Sequence, residues 1–364
     1  MCIINQMEIP NGQKIVHFNQ RKKLSLTWCP LHNNIIKRRT LISTLLLSLF
    51  NLFNRIKIIY YLKNIFYTDM SKMIYEIISD KKCLLGESPI WHESTNNFIW
   101  LDYLKSKIFF YNPINKDIAE KKIDLETPLG GIALYNNFES LIISHKNGLS
   151  IINLDSLKMR DFSHPESTKQ DVIYNDLKID RHNNLWISTS HIDETEEKGS
   201  LWKLDKNKNL QLIDTGFKVS NGPAFSPCGN YIYFNDTFAY QTYRYKLSKE
   251  NKSSVEKEFF YTFDKEDGYP DGITVDEEGS IWITHWGSGI ITKQSPNGDI
   301  VKKFNLPSIN LTSLCFGGKN FKDLVVTSAT DGMEEKDWEK YPESGKTFLI
   351  RTKEKGLKEN SYST

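Results

Sequence analysis

The amino-acid sequence predicts an all-β protein, a six-bladed β-propeller that follows a non-propeller N-terminal extension. A pattern of short alternating strands and turns containing Asn or Gly recurs six times, with copies that start at residues 87, 130, 175, 221, 271 and 312. A strand-like segment also precedes the first copy and has no partner there. Antiparallel strands repeated about every 40 to 50 residues are typical of propeller blades.

Each copy starts with a strand that opens on a polar residue or glycine, passes through a tight turn, and returns along an apolar strand rich in aromatic residues. In the first copy these strands are 87–91 and 98–102, with the turn at 95–97. The opening strands of the other copies are 130–134, 175–179, 221–225, 271–275 and 312–316. Alternating strands bounded by such turns form antiparallel hairpins.

The strand-like segment at 73–78 is expected to close the ring. A propeller joins its last blade to its first, and this segment would cover an otherwise unpaired edge of the sixth blade. Four tryptophans follow the repeat and are expected in the core between blades: Trp91, Trp100, Trp186 and Trp282.

Residues 1–69 lack the repeat, so we divide the chain into an extension over 1–69 and a propeller domain over 70–364. The apolar run at 41–53 is interrupted by polar residues and is shorter than the roughly 20 apolar residues of a spanning helix. Three interpretations stay open: an amphipathic membrane anchor, a helical or disordered extension, and untranslated sequence upstream of a true start at Met70 or Met73. We favour the third, and we expect no membrane partner unless the anchor is real.

Charge and cysteine content exclude several classes of function. The 47 basic and 45 acidic residues give a net charge of +2, which provides no case for a nucleic-acid partner. Five cysteines, without a CxxC pair, argue against a disulfide framework or a zinc–thiolate site and favour a reducing, cytoplasmic location. The sequence contains no GxSxG, HExxH or phosphate-loop motif, so covalent serine catalysis and nucleotide chemistry have no support.

The first residues of the six opening strands predict a polar ring. The first strand of each blade lines the central channel, so residues at one phase of the repeat surround the axis. The ring consists of Glu87, Gly130 with Gly131, Asn175, Asn221, Asp271, and Thr312 with Ser313. Asn-Gly and Asp-Gly at 221–222 and 271–272 are also turn dipeptides. Another turn already closes each of those hairpins, which favours the interpretation as a site.

Two carboxylates and two amides predict a site for one divalent cation. Carboxylate and amide oxygens suit Ca²⁺, Mg²⁺ or Mn²⁺, and carboxylate also binds Zn²⁺. Three protein ligands leave coordination positions open for water and substrate. The second strand of each blade returns to the same face, which predicts that His191, Asp193 and His285 lie around the same mouth and contact a polyhydroxylated ligand. An ordinary buried or surface role is the alternative for each histidine.

Five segments of the repeat resemble the senescence marker protein/gluconolactonase/regucalcin family over about residues 80–330. They are 85–91, 175–180, 220–222, 269–272 and 312–318. The resemblance implies a six-bladed propeller that hydrolyses sugar lactones with one divalent metal held by Glu87, Asn221 and Asp271. It implies a substrate-binding role for Asn175, and Asp193 falls where some members have an acid that contacts the substrate.

One position departs from the family pattern. Regucalcin-type members have arginine two residues before the substrate-binding asparagine, and Ile173 stands there in this chain. An apolar wall at this point predicts a preference for a smaller or less hydroxylated lactone, such as a pentonolactone, over gluconolactone. The alternative is that Ile173 packs under the blade.

We therefore expect metal-dependent hydrolysis of a small-molecule sugar lactone to the aldonic acid, with Asp271 as the first candidate for the general base. The main alternative is a calcium-binding regulatory propeller without enzymatic activity. A propeller that binds other proteins and a calcium propeller that hydrolyses organophosphates or other esters are further alternatives.

Overall fold

The computed structural model describes residues 74–136, 139–247 and 255–363. These residues form six antiparallel sheets around a common axis, which confirms the predicted six-bladed β-propeller. The extension at 1–69 lies outside the described residues, so its boundary and its three interpretations remain predictions.

The first three blades follow one another along the chain, each running from the channel outwards. Blade 1 consists of β2 (Gly86–His92), β3 (Asn97–Asp102), β4 (Lys107–Tyr111) and β5 (Ile118–Lys122). Blade 2 consists of β6 (Leu129–Tyr135), β7 (Ser140–His145), β8 (Gly148–Asn153) and β9 (Met159–Ser163). Blade 3 consists of β10 (Val172–Ile179), β11 (Leu185–His191), β12 (Gly199–Leu204) and β13 (Leu210–Phe217).

The last three blades complete the ring. Blade 4 consists of β14 (Ser220–Phe225), β15 (Tyr231–Asp236), β16 (Gln241–Leu247) and β17 (Val255–Thr262). Blade 5 consists of β18 (Tyr269–Val275), β19 (Ile281–Trp286), β20 (Ile290–Gln294) and β21 (Ile300–Asn305). Blade 6 consists of β22 (Asn310–Gly317), β23 (Asp323–Ala329), β24 (Thr347–Arg351) and β1 (Tyr75–Ser79).

Strand β1 pairs antiparallel with β24 and so joins the start of the propeller to its last blade. This confirms the predicted ring closure. The pairing covers the outer edge of β24, whose backbone groups would otherwise face solvent.

The core lies between neighbouring blades, as expected from strands that are apolar on both faces. Trp100, Trp186 and Trp282 have no exposed surface, and Trp91 is 3% exposed, which confirms their predicted burial. The indole nitrogens of Trp186 and Trp282 each donate to a buried aspartate, Asp180 at 2.9 Å and Asp276 at 3.0 Å. Burying large rings with their one polar atom satisfied stabilises the contact between blades.

Every innermost strand contains an irregularity at the same phase of the repeat. In all six strands the register shifts at the predicted ring positions: directly after Glu87 and Asn221 in two strands, and across the ring residues in the other four. A bulge rotates the side chains next to it relative to a regular strand. The ring residues therefore lie where the strand geometry changes.

The C-terminal segment after blade 6 crosses the channel end at which the innermost strands finish. Glu359 pairs with Lys178 at 2.9 Å, and Arg181 donates to the Lys358 carbonyl at 2.8 Å. Strand β25 (Ser361–Tyr362) then adds to blade 2, parallel to β6. The repeat did not predict this closure.

The connection between β23 and β24 carries α1 (Glu335–Lys340). Glu334 and Asp337 form a reciprocal capping box at its start, which satisfies two otherwise free backbone N–H groups. Within the described ranges, no helix has both the length and the apolar character needed to cross a membrane.

Candidate active site

The starts of the innermost strands surround a cavity of about 370 Å³. Four predicted ring residues line it together: Glu87 from β2, Asn175 from β10, Asn221 from β14 and Asp271 from β18. The other lining residues are Leu85, Tyr103, Glu194, Val219, Thr237, Phe238, Tyr269, Trp286 and Asp331. The repeat therefore brings together side chains that lie far apart in sequence.

A chain of hydrogen bonds orients the two amides. Asn221 donates through Nδ2 to Thr237 Oγ1 at 2.8 Å, and Thr237 donates in turn to the Pro270 carbonyl at 2.9 Å. Asn175 donates through Nδ2 to Asn221 Oδ1 at 2.9 Å and to the Ser220 carbonyl at 2.8 Å. Asn175 Oδ1 takes no part in these bonds, and Asn221 Oδ1, which accepts from Asn175, keeps a second lone pair, so both oxygens remain able to accept from or coordinate a ligand.

Burial and mutual repulsion raise the pKa values of the carboxylates in and beside the cavity wall. Desolvation, followed by the charge of Asp176, raises the pKa of Glu87 well above its ordinary value. Desolvation, followed by the charge of Glu87, likewise raises the pKa of Asp271. Asp176 itself accepts a hydrogen bond from the Gly222 N–H at 2.7 Å, and burial raises its pKa to about 6. Several desolvated carboxylates in one place form a site that a cation would stabilise.

The donor atoms fit a hard divalent cation. Glu87 and Asp271 offer carboxylate oxygens, and Asn221 offers an amide oxygen held in place by Thr237. Such all-oxygen sets are preferred by Ca²⁺, Mg²⁺ and Mn²⁺. The part of the chain that the structure describes contains no group of three or more His, Cys, Asp or Glu side chains placed to hold a metal. The predicted set has two acids and one amide, so the metal site remains a prediction.

Two predicted substrate contacts, His191 and Asp193, do not line the cavity formed by the described residues. His191 is 4% exposed, and its Nδ1 accepts from the Thr195 N–H at 3.3 Å. Asp193 is exposed, and the next residue, Glu194, lines the cavity instead. A contact with substrate remains a prediction for His191 and Asp193, and the positions favour Glu194.

His285 is also absent from that lining. It is fully buried and its Nε2 lies 2.9 Å from Thr292 Oγ1 on the neighbouring strand β20. Successive side chains on a strand point to opposite faces, so Trp286 reaches the cavity while His285 points into the blade. The geometry favours a structural role for His285, and its predicted contact with substrate is without support from the cavity lining.

Ile173, like His285, is buried in its blade. It is 9% exposed, pairs with Ser190 in the sheet, and is not among the described residues that line the cavity. The structure therefore gives no support to a direct contact between Ile173 and the substrate.

An aromatic wall faces the ring residues. It consists of Tyr103, Phe238, Tyr269 and Trp286. Tyr269 is braced by Tyr240, whose ring stacks on it at 4.7 Å, and by Phe238, edge-on at 5.4 Å. Most of this wall was missed from sequence, although Trp286 stands at a strand end that the repeat directs to the mouth.

Comparison with known proteins identifies relatives along most of the propeller. Residues 85–330 match the family described as SMP-30/Gluconolactonase/LRE-like region. A Bacillus subtilis (strain 168) protein named putative sugar lactone lactonase YvrE is 27% identical over 271 residues, which cover 74% of this chain and 92% of the relative. Regucalcin from Xenopus laevis is 26% identical over 292 residues, covering 77% and 95% of the two chains.

Solved structures share the fold. A calcium-binding protein, regucalcin, from Agrobacterium tumefaciens superposes with a TM-score of 0.75 and 22% identity, covering 80% of this chain and 98% of that one. A gluconolactonase from Xanthomonas campestris superposes with a TM-score of 0.62 and 16% identity, covering 78% and 90%. At these identities the similarity establishes the propeller architecture.

Proposed function

The chain belongs to the SMP-30/gluconolactonase/LRE-like family, and from this premise we propose that its central cavity hydrolyses a sugar lactone to the aldonic acid with one divalent cation bound. Membership of the family supports hydrolysis of sugar lactones as the class of reaction. The observation that carries the proposal is that Glu87, Asn175, Asn221 and Asp271 line a single cavity.

Glu87, Asn221 and Asp271 are the proposed metal ligands, as the resemblance implied. A bound divalent cation would act as a Lewis acid on the lactone carbonyl and stabilise the negative charge that develops on its oxygen. The proposed cation is one of Ca²⁺, Zn²⁺, Mg²⁺ and Mn²⁺. Thr237 holds the amide of Asn221 so that Oδ1 is the atom offered to the cation.

The other roles proposed for residues of the cavity are to bind the substrate and to accept the proton of the attacking water. Asp271 is the proposed acceptor of a proton from the attacking water, because its carboxylate lies in the cavity wall. The water oxygen bonds to the carbonyl carbon, the ring C–O bond breaks, and the alkoxide that leaves takes up the proton that Asp271 accepted from the water. Asn175 Oδ1 is placed to accept from a sugar hydroxyl, and the aromatic wall packs on the apolar face of the ring.

The cavity favours an enzyme over a calcium-binding regulator. Its volume of about 370 Å³ falls within the range of roughly 300–1,000 Å³ typical of small-molecule sites. A site that only binds calcium needs no such space beside the ligands. We retain the regulatory propeller as the second candidate because several relatives carry the name regucalcin.

The cellular setting remains part of the proposal. Cys83, Cys228 and Cys315, the described cysteines, are free thiols, which suits the cytoplasmic location expected from the sequence. The proposed partner is a small neutral lactone, and the net charge of +2 gives no electrostatic case for a nucleic-acid partner.

Lactone hydrolysis by the purified chain tests the proposal. Release of acid from gluconolactone and pentonolactones is followed before and after chelation, then after each of the four cations is returned. We expect chelation to abolish turnover and one cation to restore it. Asp271→Ala should abolish both turnover and calorimetric metal binding, whereas Asn221→Ala should weaken binding.

Asp299→Asn removes one charge from an exposed turn between β20 and β21 and serves as the control. Full activity after chelation would show that the metal dependence is wrong. Metal binding with no turnover of any lactone would favour the regulatory candidate.

A further inference from the structure

Two carboxylates face each other across the mouth of the cavity and take no part in the chemistry described above. Glu194 lies in the connection between β11 and β12 of blade 3, and Asp331 lies in the connection between β23 and β24 of blade 6. Blades 3 and 6 are opposite in a ring of six. Desolvation, followed by the charge of Asp331, raises the pKa of Glu194, as expected of two carboxylates that border one cavity.

Among the described residues, the acidic side chains at the mouth of the cavity have no basic side chains beside them. Several acidic side chains elsewhere on the propeller pair with lysines, as Glu120 does with Lys81 and Lys107. Within the described ranges, neither the Glu194 nor the Asp331 carboxylate makes a hydrogen bond or an ion pair, and no Lys, Arg or His lines the cavity. Two like charges without a basic partner therefore border a cavity that is already lined by Glu87 and Asp271.

The proposed cation does not remove this charge. A divalent ion offsets the two carboxylates of Glu87 and Asp271, and Asn221 is neutral. Glu194 and Asp331 then leave a net negative mouth. Hydrolysis changes the charge of the ligand, since a neutral lactone becomes an anionic aldonate, so only the product is repelled.

We propose that Glu194 and Asp331 form an electrostatic filter that admits uncharged lactones, rejects lactones carrying a carboxylate or phosphate, and weakens binding of the aldonate product. The inference rests on the proposed function, because it names the charge class of that site's substrate. Both residues determine specificity and are not assigned a step in the bond-breaking chemistry.

Repulsion between charges differs from a steric barrier in its response to salt. The screening length is about 10 Å at 0.1 M ionic strength and about 3 Å at 1 M. Discrimination by the filter should therefore weaken as salt is added. Discrimination by the shape of the cavity should not change.

A matched pair of lactones tests the filter. D-Glucono-1,4-lactone and D-glucaro-1,4-lactone share the ring and differ only where a terminal hydroxymethyl group is replaced by a carboxylate. We expect the wild-type protein to prefer the neutral lactone. In the nearly isosteric double variant Glu194→Gln/Asp331→Asn, the kcat/KM ratio of neutral to anionic substrate should fall about tenfold. High salt should reduce the wild-type ratio in the same direction.

The control is Glu278→Gln/Asp299→Asn, which removes two charges from exposed turns at the opposite end of the blades. Its substrate ratio should equal that of the wild type. Thermal melting of both double variants verifies that each is folded.

Calorimetric titration with D-gluconate separates failure of the filter from failure of the proposed function. The double variant should bind gluconate about tenfold more tightly than the wild type, whether or not either protein turns over lactone. Tighter gluconate binding without lactone hydrolysis would support the filter and contradict the lactonase. Equal gluconate affinity in folded wild-type and variant proteins would overturn the filter.

Discussion

Thr237 decides which atom of Asn221 faces the cavity. Its hydroxyl accepts from the amide nitrogen of Asn221 and donates to the Pro270 carbonyl, so its hydrogen-bonding direction is fixed. An amide whose nitrogen is held in this way presents oxygen to the cavity. Groups that orient a metal ligand in this manner typically contribute tenfold to a hundredfold in metal affinity or activity.

Thr237→Val tests this orientation. The substitution keeps the shape of the side chain and removes the hydroxyl, so the Asn221 amide loses its partner. We expect metal affinity measured by calorimetry to fall about tenfold or more, with a parallel loss in kcat/KM. Thr237→Ser keeps the hydroxyl and should retain affinity. Equal affinities in the valine and serine variants would show that Asn221 is oriented by other contacts.

His285 links stability to pH. Desolvation lowers its pKa from the ordinary 6.5 to about 3, so the folded protein leaves it neutral where the unfolded chain would bind a proton. The free energy of unfolding should therefore fall as pH drops from about 6.5 towards 3, with a slope from this residue of about 1.4 kcal/mol per pH unit.

His285→Gln, measured by urea unfolding between pH 7 and 4, should show a shallower slope than the wild type. Its kcat/KM at pH 7 should change little, because the side chain points into the blade. An unchanged slope together with a large loss in kcat/KM would restore the predicted contact with substrate.

The ring residues could be predicted from the sequence because they follow its repeat. Only some residues at the mouth of the cavity could be predicted, because most of them do not follow it. Glu87, Asn175, Asn221 and Asp271 occupy one phase of a repeat, so strand geometry places them together. Glu194 and Asp331 lie in connections whose lengths differ between blades. The repeat therefore does not fix where their side chains lie. Prediction therefore selected Asp193, one residue away from the side chain that lines the cavity.

At the level of strands, the repeated bulge brings neighbouring backbones close together around the axis. Gly272 follows Asp271 in the bulge of β18, and a Cβ atom there would lie 2.5 Å from Ser313 Cα on the adjacent blade. The Cα atom of Ser313 belongs to the backbone, so it cannot move aside as a side chain could by changing its rotamer. Position 272 therefore requires glycine, because two innermost strands approach each other closely there. This position directly follows Asp271, which lines the cavity.

Gly272→Ala should lower the free energy of unfolding by about 2 kcal/mol, as overpacking typically does, and should also reduce metal affinity because Asp271 shifts. Gly216→Ala, in outer strand β13, is the control: its φ of +95° disfavours alanine, but no atom lies within 4 Å. We expect that variant to lose about 1 kcal/mol and keep its kcat/KM. Full metal affinity in a folded Gly272→Ala protein would show that the bulge tolerates movement.

Across the whole molecule, ring closure at β1 was predictable and closure at β25 was not. The segment that forms β1 alternates like the other strands and lacked a partner, so the fold required it in blade 6. Strand β25 has only two residues and pairs parallel to β6, which is far away in the sequence. No local sequence pattern predicts such a pairing. The strand is held by burial of the Tyr362 ring and by polar contacts such as the Lys178–Glu359 ion pair.

Removal of residues 352–364 is expected to destabilise the propeller while leaving its chemistry in place. Tyr362 has no exposed surface and contacts Tyr135 and Phe162, with ring centroids 6.4 Å and 5.8 Å away. Deleting a buried aromatic side chain typically costs about 3–5 kcal/mol. The truncation also removes Glu359 and leaves Lys178 in the channel without that partner, so it should lower stability more than Tyr362→Ala alone.

Urea unfolding monitored by tryptophan fluorescence measures the loss, with Tyr362→Phe as the control that keeps the buried ring. The segment covers the channel end opposite the cavity, so kcat/KM of the truncated protein should stay within about twofold of the full chain where both are folded. Asp176 and Lys178 both lie on β10, between the cavity and the C-terminal segment. A large loss of kcat/KM in folded truncated protein would therefore mean that β10 couples the channel floor to the site.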